Sequence, residues 1–272
     1  GIDISWNKYS SSNTTSEIND ILNNYKINNP SESLPAIKNL YKKLIAIRPN
    51  NNLIDKKIKE LEQLILNISG IFIEATTAKQ QFIEGDTLAI TCTINSRVAK
   101  NVKLLSGNIS DNKKVQYTFN NSTELLPNKN VAIKANFIVT DYTTAQPYWL
   151  LKPMQAGYFD VDNQELIGKP QTDAFTASFL LQLDNEINIV VTKPVQYKHT
   201  DPVKGELFQP VIILPQVELH FQQENILAIN NKKVNASLQL VNNKSNEVVY
   251  TINQKINNAS FKVQSASTTT TL

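Results

Sequence analysis

The chain has 272 residues, of which 41% are apolar and 19% charged, and its formal net charge is +3. This is the composition of an ordinary globular protein, with room for two or three domains of roughly 100–150 residues, and it excludes a disordered chain. The positive excess is small and evenly spread. The basic pairs Lys42–Lys43, Lys56–Lys57, Lys113–Lys114 and Lys232–Lys233 read as solvated faces and turns, so no nucleic-acid partner is expected.

Three amphipathic helices are predicted in the first 70 residues. In "SEINDILNNY", Ser16 serves as N-cap, and Ile18, Ile21, Leu22 and Tyr25 share one face. "NPSESLPAIKNLYKKLIAIRP" carries Leu34, Ile37, Leu40, Tyr41, Leu44 and Ile45 at helical spacing. Asn29 and Ser33 could both cap it, Pro35 is tolerated only in a first turn, and Pro49 closes it. "NNNLIDKKIKELEQLILNISG" sets Ile54, Ile58, Leu61, Ile65 and Ile68 on one stripe, with Asp55 in the first turn and Gly70 as the stop.

At Gly70 the period changes to two. "GIFIEATT" and "DTLAITCTINS" alternate and are rich in β-branched residues, and further strands are predicted at 101–107, 114–119, 130–140, 174–183 and 186–197. Turn residues separate them: Glu84-Gly85-Asp86, the Asp111-Asn112 pair, Pro127-Asn128 and Asp184-Asn185. Strands at this spacing without intervening helices indicate an antiparallel sandwich. Pro194 places at least half of the last strand at an edge or a bend. Pro202, Pro210 and Pro215 then suggest an extended linker. Beyond it, "VELHF", "NILAI", "KVNASLQLVN", "EVVYTINQ" and "ASFKVQ" form a second short strand series, ahead of a polar tail.

Few residues look like chemistry. There is no Gly-rich phosphate loop, no G-x-S-x-G elbow and no paired-His metal motif. The single cysteine, Cys92, forbids an internal disulfide or a Cys-based zinc cluster, and it reads as a small buried hydrophobe. Of the two histidines, His199 stands two residues before Asp201 in "KHTDP", which offers imidazole and carboxylate but not a full metal set. His220 alternates with Val217, Leu219 and Phe221 and should face outward or be a satisfied strand histidine. Asp160 and Asp162, with Glu165, could hold calcium through oxygen ligands or serve as hydrolytic acids, though no loop signature is present; Glu84 and Asp86 form a second i, i+2 pair. No run approaches the roughly 18 apolar residues of a membrane span, and no signal peptide opens the chain. The chain begins at Gly1 and contains one methionine, Met154, and reads as a piece of a longer polypeptide.

The least ordinary stretch is "AQPYWLLKPMQAGYFDVDNQELIGKP", residues 145–170. Trp149 with Tyr148 or Tyr158 could stack on sugar rings as a carbohydrate platform. The competing expectation is a packed crossing, in which Pro147 and Pro153 stiffen the chain, Gly157 allows an unusual turn and Ile167 plugs the core.

The same stretch, "QPYWLLKP…GYFDVDNQELIGKP", resembles a segment downstream of the deacetylase domain in large Bacteroidetes proteins of the PIG-L (LmbE-like) family, which act on N-acetylated sugars. "ELEQLILNISGIFIEATT", "GDTLAITCTINSR" and "VQYKHTDPVKGELFQPVIILP" follow in similar order, so the resemblance covers most of residues 55–215. It implies an upstream zinc-dependent catalytic domain with a His-Pro-Asp-Asp type motif. That motif is missing here, so no catalytic or zinc residue carries over, and zinc is implied only for the upstream domain. The resemblance also implies an exported protein, periplasmic or envelope-associated.

The expected architecture is therefore mainly β: a helical segment at 1–69, an immunoglobulin-like β-sandwich at 70–203, a linker at 204–215 and a second, small or truncated sandwich at 216–272. The expected function is that of a non-catalytic accessory region positioning the upstream catalytic domain of the same polypeptide or its glycan substrate. The alternative is a stand-alone carbohydrate-binding or envelope adhesion module using Tyr148, Trp149 and Tyr158.

Overall fold

The computed structural model describes residues 6, 14–47, 52–99, 101–111, 113–120, 122–142, 146–169, 172–223 and 237–244. The protein is mainly β with a short N-terminal helical segment. Helix α1 (Thr14–Asn23) begins two residues before Ser16 and leaves its apolar stripe largely open, with Leu22 exposed. Helix α2 (Leu34–Ala46) follows a 3-10 turn at Pro30–Ser33 and holds Pro35 in its first turn, where the missing N–H costs no helical bond. Neither Asn29 nor Ser33 caps α2 through its side chain. Asn29 instead donates to Glu32 Oε1 at 2.7 Å and accepts from Ser31 Oγ at 2.7 Å.

Helix α3 (Asn52–Ile68) stops as predicted at Gly70, which takes φ +65° and donates to the Asn67 carbonyl at 3.0 Å. Ile37, Leu40, Tyr41 and Leu44 of α2 are buried, as are Ile54, Ile58, Ile65 and Leu66 of α3. Each side chain of this size contributes about 1.5–3 kcal/mol by leaving water.

The strands are β1 (Ile71–Thr77), β2 (Gln81–Phe82), β3 (Thr87–Ser96), β4 (Val102–Ser110), β5 (Val115–Phe119), β6 (Thr123–Leu125), β7 (Val131–Ile138), β8 (Thr176–Leu183), β9 (Ile187–Asp201), β10 (Gly205–Pro210), β11 (Ile212–Ile213), β12 (Val217–Phe221) and β13 (Leu238–Asn242). Nine of them form one sheet in the order β5-β4-β8-β9-β1-β3-β7, with β6 added on β4 and β10 on β9.

Strand β9 joins two ladders. Its first half, through Pro194, pairs antiparallel with β8, and its second half pairs parallel with β1 and antiparallel with β10. Pro194 sits opposite Thr176 at the last rung of the β8 ladder, so the residue that cannot donate marks the hand-over. Each ladder buries one face: Ala177, Phe179, Leu181 and Leu183 alternate inward on β8, and Ile90, Cys92 and Ile94 do so on β3. Asp184, Asn185 and Glu186 connect β8 to β9; Asp184 at φ +52° and Asn185 at φ +56° are the central residues of a β-turn closed by the Glu186 N–H donating to the Leu183 carbonyl at 3.0 Å. Lys38 of α2 reaches this turn, donating to Asp184 at 2.6 Å and Glu186 at 3.3 Å.

Two compact units interleave along the chain. One comprises Gly1–Gln80, Ala89–Phe137 and Asp173–Val211, and the other Gln81–Leu88, Ile138–Thr172 and Ile212–Leu272. The first holds the helices and nearly all of the large sheet. In the second, β2 and β11 pair in parallel, Gly85 and Val139 are joined by a backbone bond of 2.8 Å, and β12 pairs with β13 as a hairpin.

Residues 204–215, expected as a linker, contain β10 and β11. Their prolines end strands or stand between them, while "GELFQ" satisfies its backbone against β9. Of the second strand series, "VELHF" and the end of "KVNASLQLVN" form β12 and β13; "NILAI", "EVVYTINQ" and "ASFKVQ" lie outside the described residues.

Candidate functional site

The crossing between Gln146 and Lys169 lies in the second unit. Tyr148, Trp149 and Leu150 form a single 3-10 turn after Pro147. Tyr148 is buried, and its hydroxyl accepts the Gly168 N–H at 3.2 Å, which ties the start of the crossing to its end. Trp149 is half-buried and meets the Tyr148 ring edge-on at 4.9 Å. Tyr158 stands at a tight turn in which Gln155 and Tyr158 bond through their backbones at 3.0 and 3.4 Å. Gly157 supplies the φ of +88° that this turn needs.

The three residues expected as a platform are thus placed differently: Tyr148 inside, Trp149 at the boundary and Tyr158 in solvent.

Ile167 does not plug the core; it is 62% exposed. The short 3-10 turn Gln164–Leu166, capped by Asn163 accepting from the Glu165 N–H at 3.0 Å, turns the chain there so that Ile167 points to solvent. Leu150, Leu151, Met154, Tyr158, Phe159 and Ile167 together are 44–66% exposed.

The acids of the crossing are held by a lysine. Lys152 donates to Asp160 at 3.0 Å and closely to Asp162, and these hydrogen bonds, to Asp162 first, hold its own pKa above the usual lysine value. Glu165 stands apart from them, exposed. Among the described residues no group of three His, Cys, Asp or Glu side chains gathers as a metal site.

The remaining polar residues singled out in the sequence sit in local structural contacts, although His199 Nδ1 is buried without a hydrogen-bond partner among the described residues. Asp201 accepts the Lys204 and Val203 N–H groups at 2.7 and 2.8 Å and so closes the turn from β9 to β10, which lowers its pKa. His199 stacks on Tyr197 with ring centroids 4.9 Å apart rather than bonding to Asp201. His220 faces solvent and bonds Glu218 at 2.9 Å. Glu84 accepts the Asp141 N–H at 3.1 Å, and Asp86 accepts the Ile83 N–H at 3.2 Å. Cys92 is fully buried, and burial pushes its thiol up to about 12, so it is a core side chain and not a nucleophile at neutral pH.

The sequence reading missed Lys152 as the clamp and the exposure of Leu150, Leu151 and Met154. A lysine eight and ten residues before two aspartates is a weak signal, because only the turn at Gly157 brings them together.

No protein-family model and no curated protein matches this chain. Among solved structures, it is similar over 47% of its length to the sporulation control protein Spo0M from Bacillus subtilis, at 10% identity and a TM-score of 0.24. A Listeria innocua beta-glucosidase matches over 46% at 10% identity and 0.20, and the Pseudomonas fluorescens alkylpurine DNA glycosylase AlkC over 61% at 11% and 0.23. The matches span 49%, 16% and 46% of those chains respectively. Likeness at this level carries no argument about fold or activity. No helix among the described residues is long and apolar enough to cross a membrane.

Proposed function

We propose that this chain is a non-catalytic accessory region, built on an immunoglobulin-like sandwich, that docks and positions the catalytic domain of a multidomain, exported PIG-L-type sugar deacetylase. The sandwich reading is supported by the strand order. β1 pairs antiparallel with β3 and parallel with β9, while β9, β8, β4 and β5 follow one another on its other side; a single sheet whose two halves meet at β9 could fold over into the two layers of a Greek-key sandwich. The parent family is supported only by the block order around "QPYWL" and "DPVKGE".

The observation that carries the functional reading is the exposed apolar crossing. Its large side chains project from a segment pinned by Tyr148 to Gly168 and by Lys152 to Asp160, so they are presented without much ordering cost on binding.

The test is binding between the 272-residue chain and the separately expressed region encoded upstream of it, measured by titration calorimetry. Micromolar binding that weakens at least ~10-fold in Leu151→Glu/Met154→Glu, with the melting temperature unchanged, supports the proposal. Binding indifferent to that change, or none, overturns it.

The glycan-binding alternative is favoured by one feature, the exposure of Tyr158 beside Phe159. It requires chito-oligosaccharide retention that Tyr158→Ala abolishes while the fold survives.

A further inference from the structure

Strands β1 and β9 form a parallel ladder over three rungs: Ala75 with Val195, Thr76 with Gln196 and Thr77 with Tyr197. Carried back in the same register, Ile71 would face Val191, and Ile73 would face Lys193. The strands part instead, because β9 through Pro194 is committed to β8, while β1 from Ile71 is committed to β3. These same four residues line a cleft of about 170 Å³ in the first unit, to which α3 adds Leu66 and two exposed amides, Gln63 and Asn67. The cleft is an interrupted ladder, with a strand edge on either side of it.

Its chemistry is one-sided. Leu66, Ile73 and Val191 are buried and make an apolar floor. No Asp or Glu lines the cleft. Gln63 Nε2 donates to Asn67 Oδ1 at 2.8 Å, and the Asn67 amide nitrogen has no partner among the described residues. Lys193, half-buried at the rim, forms no ion pair among them.

We propose that this cleft takes the C-terminal residue of an extended polypeptide partner. A gap between two strand edges fits backbone better than any other ligand, because the β1–β9 ladder places no rung across it before Ala75 and Val195. The volume lies below the roughly 300–1,000 Å³ of a site for a drug-sized ligand, which suits one chain end and not a nucleotide or an oligosaccharide. The apolar floor takes the last side chain, while Lys193 and the Asn67 amide take the carboxylate. This site is separate from the crossing and does not rest on the function proposed above.

The test is titration of the 272-residue chain with acetylated tetrapeptides ending in Leu, Ile, Val, Phe or Met, each as free acid and as amide, followed by amide chemical shifts. The expected result is binding of at least one free acid in the ~0.1–1 mM range. Shifts should concentrate at 71–73 and 191–193, with a loss of about 5-fold or more on amidation, in Lys193→Met and in Asn67→Asp. Both variants alter half-buried or exposed side chains, and their melting temperatures report whether the fold is intact. Equal binding of acid and amide, binding unchanged in both folded variants, shifts elsewhere, or no binding at ~5 mM overturns the proposal.

Discussion

A Cβ on Gly107 would stand 2.2 Å from the Phe119 ring and 2.6 Å from the Ser178 carbonyl oxygen. The register explains the crowding: Gly107 of β4 lies between Phe119 on β5 and Phe179 on β8, whose rings approach to 6.1 Å. The sequence reading ended this strand at Gly107. The strand runs on to Ser110, because neighbouring aromatic rings cover the gap a missing side chain leaves. Gly107→Ala should therefore cost about 2–3 kcal/mol through overpacking, despite raising intrinsic strand propensity. A lowered urea midpoint with an unchanged slope checks this; a neutral result would mean that the Phe119 ring moves aside freely.

At the scale of elements, α2 is held to the β8–β9 turn by charge as well as by its apolar face. Burial opposes the Lys38 ammonium, yet its bonds to Asp184 and then Glu186 outweigh that and raise its pKa. The Lys38 side chain is 8% exposed, whereas Asp184 and Glu186 are 30% and 46% exposed. Removing the lysine therefore leaves two carboxylates that water can still reach, and Lys38→Met should cost about 1–2 kcal/mol, below the roughly 3–5 kcal/mol of a fully buried broken pair. Thermal unfolding of Lys38→Met beside Lys42→Met separates this contact from the more exposed Lys42–Glu186 pair at 2.9 Å. The helical stripe of α2 was legible from its period, but the attachment was not, since 146 residues separate Lys38 from Asp184. The crossing shows the same limit: its aromatic residues were visible as unusual, but which of them is buried depends on the Tyr148–Gly168 bond and the turn at Gln164–Leu166.

For the whole molecule, stability should form a plateau with two falling limbs. Glu186 is held below its usual range by its bonds to Lys42 and Lys38, and Asp201 by the Lys204 and Val203 N–H groups. Asp111 is lowered too, its burial outweighed by the Lys114 N–H, Gln116 and the Lys113 N–H. A carboxylate lowered on folding contributes stability that is complete above its unfolded value, about 4, and lost as pH falls through its folded value. Cys92 acts at the other end. Its thiol is raised to about 12 in the fold, so the unfolded chain alone ionises from about pH 9, and stability falls as pH rises from there. Unfolding free energy measured against pH should decline below about 4 and above about 9. Cys92→Ala should remove up to about 1.4 kcal/mol per pH unit from the alkaline slope while lowering the plateau through the cavity it leaves. An identical alkaline slope in that variant would exclude Cys92 as its source.

The sequence by itself determined the local elements: the three helices and the buried stripes of α2 and α3, the Gly70 stop, the turns at Gly85, Asn128 and Asp184-Asn185, and the burial of Cys92. These follow from period and turn chemistry, which act within a few residues of one another. The tertiary structure alone decided that residues 204–215 contain two strands, that β9 serves two ladders through Pro194, and that Ile167 points outward. It also decided that two units share an interleaved chain and that β1 and β9 part above Ala75. Each of these turns on which distant edge a strand finds, and a strand's hydrogen-bonding edges look the same in sequence whatever partner completes them.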